Sequence, residues 1–299
     1  MSIATEARAG VAAVAGSNVG RRQVVATIWH VLFALATSFA VVVLAVLLIT
    51  IFGDGRTWLR WDLFTQSNSR NAADAGFQSG IIGTFWVISL TALLAIPIGI
   101  GAAIYLEEYA PRNWWTRILQ TNISNLAGVP SVVYGLLGLG LFVYFLGFDR
   151  SVLAAALTMG LLILPVVIIA SQESIRAVPS SLREAAFALG ATKWQVARSH
   201  VLPAAMPGIL TGTILALSRA IGETAPVVVV GAALFLSHNP DSVFSRFTVL
   251  PVQIYQWTAR PQQDFRDLAA AGIIILLVML LLMNSVAIYF RQRFSRNRW

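Results

Sequence analysis

An arginine and a glutamate lie four residues apart inside a long apolar stretch of this chain. Arg219 and Glu223 occur near the middle of an apolar run that covers residues 206–236. On a helix, this spacing places both side chains on one face, with their Cβ atoms about 6 Å apart. Ionisable groups within a membrane are costly unless they are paired or hydrated. We therefore expect the pair to face the protein interior or a water-filled path.

The chemistry open to this pair is recognition of an anion. The guanidinium of Arg219 presents a planar fork of donors that matches an oxyanion, and Glu223 can orient this fork or neutralise its charge when no anion is bound. Thr224 adds a hydroxyl donor, and Gly222 and Pro226 permit local opening of the backbone. Arg219, Glu223 and Thr224 are therefore predicted to line a substrate pathway. The alternative is a structural pair whose charges merely neutralise each other.

Catalysis by this chain has little support in its sequence. The chain has no cysteine, and its three histidines, His30, His200 and His238, show no metal-ligand spacing. It contains no G-x-x-x-x-G-K-[ST] phosphate-binding loop, and its sole lysine is Lys193. We therefore predict a non-catalytic chain that binds no metal or cofactor itself. Any ATP and Mg²⁺ would be bound by a partner.

The composition indicates a membrane protein. Hydrophobic residues make up 57% of the 299 residues, charged residues make up only 11%, and the mean hydropathy is +0.75. This leaves too little polar surface to cover a soluble protein of the same length. The excess of 21 Lys and Arg over 13 Asp and Glu is dispersed between apolar runs. Such dispersion is typical of membrane topology and argues against nucleic-acid binding.

Several apolar runs are long enough to cross a hydrocarbon core, which takes about 20 helical residues. The first is too long for the apolar core of a signal peptide and is predicted to be retained. The third contains Gly128, Pro130 and Gly135. A straight helix packed through small residues is the preferred interpretation, and a broken helix lining a cavity is the alternative. The fold class is therefore an all-α membrane protein with about six transmembrane helices, at 27–52, 80–105, 118–148, 151–170, 206–236 and 268–290.

The positions of the basic residues predict the orientation. Lys and Arg are more frequent in both tails and in the loops after the second and fourth helices than in the remaining loops, so both termini are expected in the cytoplasm. Aromatic residues of the outer loops, among them Trp257, are expected at the membrane interface or in a docking face for an external partner. The predicted segments are a disordered tail (1–26), a first transmembrane helix (27–52), an outer loop (53–79), a transmembrane domain (80–290) with a second outer loop (237–267), and a basic tail (291–299).

The loop between the fourth and fifth predicted helices, residues 180–203, begins with the pattern of a short helix. Ser181 and Glu184 have the S-x-x-E spacing of a capping box, in which the hydroxyl and the carboxylate satisfy free amides reciprocally. This spacing predicts a helix that starts at Leu182. Gly190 is expected to adopt the left-handed conformation that ends it.

A second short helix is predicted directly afterwards. Thr192 can cap a helix that runs from Lys193 to about His200, before Pro203. The result is a compact helix-turn-helix at the membrane surface, whose small outward-facing side chains suit close approach by another protein. The alternative is an amphipathic loop that rests on the bilayer.

The register of this loop resembles the permease family of ABC importers. The family signature is Glu-Ala-Ala, three residues, Gly, nine residues, an aliphatic residue, one more residue, then Leu-Pro. His200 replaces the usual aliphatic residue. The resemblance implies that the loop is a coupling helix, which docks in a cleft of an ATPase subunit. The matching residues are Glu184, Ala185, Ala186, Gly190, Leu202 and Pro203.

Three further stretches look like the phosphate importer permeases of the PstA type: 105–110 (YLEEYA), 129–135 (VPSVVYG) and 218–226 (SRAIGETAP). This likeness implies import of inorganic phosphate by alternating access in a bacterial inner membrane. The implied partners are a second permease (PstC type), two ATPase subunits (PstB type) and an external phosphate-binding protein (PstS type). Because an arginine fork does not choose among tetrahedral anions, a sulfate or molybdate permease is the alternative. A passive anion channel is disfavoured, since a channel needs no loop for docking an ATPase.

Overall fold

The computed structural model describes the backbone of residues 3–232, 235, 236 and 238–296, and the side chains in these ranges apart from 3–18, 290 and 294–296. Every regular element in the described part of the chain is a helix, which confirms the predicted fold class. The contacts divide the chain into two units, Met1–Gly53 and Asp54–Trp299.

Helix α1 spans Ile3–Gly55 and supplies the described residues of the first unit. The predicted membrane helix at 27–52 lies within it. Helical backbone from Ile3 onward replaces the disorder predicted for residues 1–26, of which residues 1 and 2 lie outside the described part. Alanine is frequent before Arg21 and has the highest helix propensity, which explains the difference.

The second unit contains the remaining helices. Three π turns, Tyr105–Tyr109, Leu139–Phe145 and Ala197–Val201, directly follow α3, α5 and α8. The α-helices are α2 (Asp62–Thr65), α3 (Gln78–Ile104), α4 (Trp114–Ala127), α5 (Ser131–Gly138), α6 (Val152–Arg176), α7 (Ser180–Ala188), α8 (Lys193–Val196), α9 (Leu202–Gly222), α10 (Ala225–Val230), α11 (Leu250–Thr258) and α12 (Gln263–Arg296).

The number of candidate membrane spans agrees with the prediction. In the described residues, five continuous helices are long and apolar enough to cross a membrane, and a bent pair of helices makes six if the pair counts as one span. The five are Val19–Trp58, Gln78–Tyr109, Val152–Arg176, Lys193–Gly222 and Gln263–Arg293.

The sixth span is broken, so the preferred prediction of a straight helix over 118–148 is wrong. Helices α4 and α5 meet at an angle of 104°. Pro130 lies at the break with extended backbone and has no amide to continue the hydrogen-bond ladder of α4. The Tyr134 hydroxyl donates to the Leu126 carbonyl oxygen at 2.8 Å, which satisfies one of the groups freed at the end of α4. Proline geometry and a tertiary hydrogen bond thus stabilise the bend.

Helices α3, α6 and α9 form the centre of the second unit. Residues Val87 of α3 and Met159 and Ile163 of α6 are buried in one core with Ala216 and Ala220 of α9. Small residues let α6 and α9 approach closely, as is common between helices in membranes. This packing holds the end of α9, where Arg219 lies.

The residues before α3 pack with α11 and α12 in a second core. Trp257 of α11 is fully buried, with its ring centroid 4.5 Å from that of Phe77. Its indole Nε1 donates to Asn68 Oδ1 at 3.2 Å. The expectation that Trp257 lies at the membrane interface or in a docking face is therefore wrong. An amphipathic ring with a satisfied N–H also suits a core.

The close contact between α5 and α10 supplies a test of this fold. A Cβ atom on Gly135 would lie 2.8 Å from Pro226 Cα and 3.1 Å from the Pro226 carbonyl oxygen. Because both are backbone atoms, Gly135→Ala must displace α10. We expect this overpacking to destabilise the protein by about 1–3 kcal/mol, measured as a lower Tm of the purified protein in detergent.

The matched control is Gly140→Ala in the same broken span. A Cβ atom there meets no other atom within 4 Å. This variant is expected to retain the Tm of the parent protein or to exceed it slightly. Equal Tm values for the two variants would contradict the packing of α5 against α10.

Candidate functional site

The backbone opens next to Arg219. The prediction of one helix over 206–236 is wrong, because α9 ends at Gly222 and α10 begins at Ala225. Glu223 lies between them with extended backbone, at φ −74° and ψ 120°. Pro226 lies in the first turn of α10, where the missing N–H needs no partner. Gly222 and Pro226 therefore bracket a break, as their residue types suggest.

The short helix α10 ends well before the predicted boundary. Its last residue is Val230, and Gly231 follows with φ 110°, a left-handed conformation that favours glycine. Residues 233 and 234 of the predicted helix lie outside the described residues. The break and the short helix replace the second half of the predicted span.

Arg219 and Glu223 are in contact. Arg219 Nε donates to Glu223 Oε1 at 3.2 Å. The Arg219 side chain is 52% exposed and that of Glu223 only 19%. Neither terminal nitrogen of Arg219 has a hydrogen-bond partner among the described residues. Glu223 therefore orients the guanidinium through Nε, and the two terminal nitrogens are left to donate to a ligand.

Thr224 lies at the break beside this pair. It is half-buried, and its side chain does not cap α10. Its carbonyl oxygen accepts from the Val228 amide at 3.0 Å, which closes the first turn of α10. The hydroxyl is thus not required to hold the helix.

Ser218, the residue before Arg219 on α9, makes a polar contact that the sequence gave little sign of. The Ser218 hydroxyl oxygen is 2.5 Å from Asn284 Oδ1 on α12. Asn284 interrupts the apolar run at 268–290, which is the only local signal of this contact. The bond ties α12 to the turn of α9 that carries Arg219.

The loop between α6 and α9 forms a compact pair of helices, with a different start from the one predicted. Helix α7 begins at Ser180 with Pro179 at the N-cap and no side-chain cap. The predicted capping box of Ser181 and Glu184 is therefore wrong. Pro179 already has the extended conformation of an N-cap residue, at φ −55° and ψ 137°, which places Ser181 inside the helix.

The end of α7 and the start of α8 follow the prediction. Gly190 has φ 81°, the left-handed conformation. Thr192 caps α8, and Gln195 completes a capping box, with its Oε1 accepting from the Thr192 amide at 2.8 Å. The second helix does not end near His200. It continues through a π turn into α9, and this wider turn accommodates the missing amide of Pro203.

The six residues of the loop signature divide into an exposed and a covered group. Glu184, Ala185 and Gly190 are exposed, whereas Ala186, Leu202 and Pro203 are buried or half-buried. The outward face carries large apolar side chains, contrary to the small ones predicted. These are Leu182, Phe187, Leu189 and Trp194, of which Leu189 is 89% exposed. We call these four residues the docking surface.

An ion-pair network that the sequence did not reveal lies beneath α7. Arg183 of α7 donates through Nε and Nη2 to Glu108 Oε1 at 3.1 and 2.9 Å. The neighbouring Glu107 accepts from Arg176 Nη2 at 2.6 Å. Arg183 and Glu108 are 75 residues apart in the sequence, so no local pattern indicates their contact.

Arg260, between α11 and α12, lies against an aromatic ring. The Arg260 guanidinium lies 4.0 Å from the centroid of the Phe265 ring. Burial lowers the pKa of Arg260, and the charge of Arg70 lowers it further. Two guanidinium groups near each other make this part of the surface electropositive.

Comparisons with known proteins agree with these features. Residues 95–296 match the family described as "Binding-protein-dependent transport system inner membrane component". The probable ABC transporter permease protein YqgI of Bacillus subtilis is 30% identical over 86% of this chain and 91% of its own length. The phosphate transport system permease protein PstA of Haemophilus influenzae is 36% identical, over 82% of this chain and 86% of its own.

A solved structure shares the fold. A bacterial alginate ABC transporter, in complex with a periplasmic protein that holds an alginate pentasaccharide, contains a chain with a TM-score of 0.66 at 17% identity. The match covers 89% of this chain and 95% of that one. Together with the apolar helices, these relatives identify a multi-pass protein of the bacterial inner membrane. The chain belongs to the family of binding-protein-dependent transport system inner membrane components, the membrane-spanning permease subunits of ABC importers.

Proposed function

We propose that this permease carries inorganic phosphate into the cell. The observation that carries the proposal is the guanidinium of Arg219, which Glu223 holds by one edge and which retains free donors beside a helix break. Such a fork matches the oxygens of a tetrahedral anion. The name of the Haemophilus influenzae relative supports phosphate as that anion.

Glu223 gives a physical reason to favour phosphate over sulfate or molybdate. A carboxylate can only accept hydrogen bonds. Phosphate near neutral pH keeps a P–OH group that can donate to Glu223, whereas sulfate and molybdate are fully ionised and would be repelled. Arg219 and Glu223 together therefore offer donors and an acceptor to a partly protonated anion. Thr224 supplies a further hydroxyl at the same break.

The drive for transport is proposed to come from partner subunits. The docking surface leaves Phe187, Leu189 and Trp194 exposed next to the signature residues, which suits burial in a cleft of an ATPase. In the complete transporter, two PstB-type ATPases would bind ATP and Mg²⁺, and a PstC-type permease would share the pathway. A PstS-type protein would deliver phosphate, and its acidic groups would meet the Arg70 and Arg260 region.

The proposed transport mechanism is alternating access. Closure of the ATPases on ATP would draw the docking surfaces of the two permeases together and open the pathway outward. Hydrolysis would reverse the motion and expose Arg219 to the cytoplasm. This transport cycle requires that both termini and the 180–203 loop lie on the cytoplasmic side, as the positions of the basic residues predict.

Uptake of radiolabelled phosphate, sulfate and molybdate by a reconstituted transporter tests the substrate. We expect ATP-dependent uptake of phosphate with little competition from the other two anions. We expect Glu223→Gln to narrow the difference between phosphate and sulfate, because an amide no longer repels a fully ionised anion. Preferential uptake of sulfate or molybdate would assign the alternative oxyanion, and uptake without ATP would indicate a channel.

Arg219→Gln tests the pathway assignment. The variant loses hydrogen bonds to a charged group, worth about 1.5–3 kcal/mol each, so phosphate uptake should fall at least about tenfold. Co-purification of the partner subunits should be unchanged, because Arg219 lies far along α9 from the docking surface. Arg219→Lys is the matched control: it keeps the charge without the fork and should retain intermediate uptake. Wild-type uptake by Arg219→Gln would reduce the pair to a structural role.

Gly190→Val tests the docking surface. A β-branched residue is strained at φ 81°, so the turn between α7 and α8 should rearrange and the ATPase should no longer co-purify. The Cβ atom itself meets nothing within 4 Å, so the membrane helices should be unaffected. Gly190→Asn is the control, because asparagine tolerates the left-handed conformation. Normal ATPase binding by Gly190→Val would contradict the assignment.

A further inference from the structure

Arg183 connects three elements at one end of the second unit. In addition to its two bonds with Glu108, its Nη1 donates to the Val178 carbonyl oxygen at 2.7 Å and its Nη2 to the Ile175 carbonyl oxygen at 2.8 Å. Glu108 belongs to the π turn after α3, Ile175 to the last turn of α6, and Val178 to the link between α6 and α7. One side chain of α7 therefore holds the ends of both neighbouring helices.

These bonds are partly shielded from solvent. The side chain of Arg183 is 20% exposed and that of Glu108 is 12% exposed. Partly buried pairs are screened less than surface pairs, and removal of one partner leaves the other group without its bonds. The contact is therefore stiffer than the common surface salt bridge, which contributes little.

Helix α7 carries buried and exposed side chains next to each other. Arg183 and Ala186 face the protein, and Ala186 is buried in a core with Ala103, Ile175 and Ile209. Leu182 and Phe187 of the docking surface lie four residues from Ala186 and Arg183 respectively, so they flank this face, and both are exposed. Arg183 is therefore next to the docking surface, while its own bonds are made to Glu108, Val178 and Ile175.

The π turn of Tyr105–Tyr109 makes a second link, between the end of α3 and α6. Its wider turn directs two consecutive carboxylates to different elements. Glu108 pairs with Arg183, whereas Glu107 pairs with Arg176 and accepts from Gln172 Nε2 at 3.3 Å, both on α6. The end of α3 is thus tied to α6 and to α7 independently.

We propose that Arg183 is the positioning residue that makes α7 and the adjacent ends of α3 and α6 move as one body. A displacement imposed on the docking surface then reaches the membrane helices without loss. This inference rests on the proposed function, because it concerns how docking of an ATPase drives the pathway.

The first test measures coupling in the complete transporter, reconstituted in proteoliposomes with radiolabelled phosphate. Arg183→Met should lower the phosphate taken up per ATP hydrolysed by between about 5- and 150-fold, the range of typical coupling free energies. The ATPase should still co-purify. Glu108→Gln should act in the same direction, and the double variant should be no worse than the poorer single variant, because both remove one linkage. Arg183→Lys, which keeps the charge but not the fork, should lose less.

The matched control is Arg112→Met, an exposed arginine four residues after Glu108 in the sequence. It should keep wild-type coupling. Wild-type coupling in both Arg183→Met and Glu108→Gln would overturn the proposal, as would losses that add in the double variant. If Arg183→Met does not assemble, Glu108→Gln and Arg183→Lys carry the same comparison.

The second test does not depend on the transported substrate. Because the chain has no cysteine, Ser181→Cys on α7 and Tyr109→Cys on the π turn can be spin-labelled selectively. The distance between the labels should be the same with and without a trapped ATP analogue, and Arg183→Met should make it nucleotide-dependent. A nucleotide-dependent distance in the parent protein would overturn the proposal. Absence of phosphate uptake with a constant label distance would overturn the proposed substrate alone.

Discussion

Peptide groups that are freed in an apolar environment must find new partners, and this requirement determines where the helices of this protein can break. At the α4–α5 junction, the Tyr134 hydroxyl donates a hydrogen bond to the Leu126 carbonyl oxygen. At the α9–α10 junction, the Glu223 amide donates to the Ala220 carbonyl oxygen at 3.2 Å. The two junctions are neighbours, since Gly135 of α5 contacts Pro226 of α10. The open backbone is thus concentrated beside Arg219.

Whereas two spans are broken, the helix that leads to Arg219 is continuous. The stretch Lys193–Gly222 is one helix of 30 residues, interrupted only by a π turn, and is therefore about 45 Å long. It begins within the 180–203 loop and ends beside Glu223. Helix α9 packs along α6 and α12. The 180–203 loop and the helix break at Glu223 are therefore the two ends of one helix that its neighbours hold in place. The proposed driving and binding functions are located at these ends.

Local patterns in the sequence predicted the features that neighbouring residues determine. Gly190 in the left-handed conformation, Thr192 as a cap and the contact of Arg219 with Glu223 all follow from spacings of a few residues. The start of α7 was not predictable from Ser181 and Glu184, because Pro179 offers a competing cap. The bend at Pro130, the burial of Trp257 and the pairing of Arg183 with Glu108 depend on partners distant in sequence. No periodicity encodes those partners.

The docking surface has a consequence for the life of the protein in the cell. Under the proposed topology, Phe187, Leu189 and Trp194 project into water, where their apolar area is unfavourable until a partner covers it. A subunit made without its ATPase would therefore keep an exposed apolar patch, the kind of surface that chaperones and proteases recognise. The same side chains that would bind the ATPase in the finished transporter would thus also keep the numbers of permease and ATPase subunits matched.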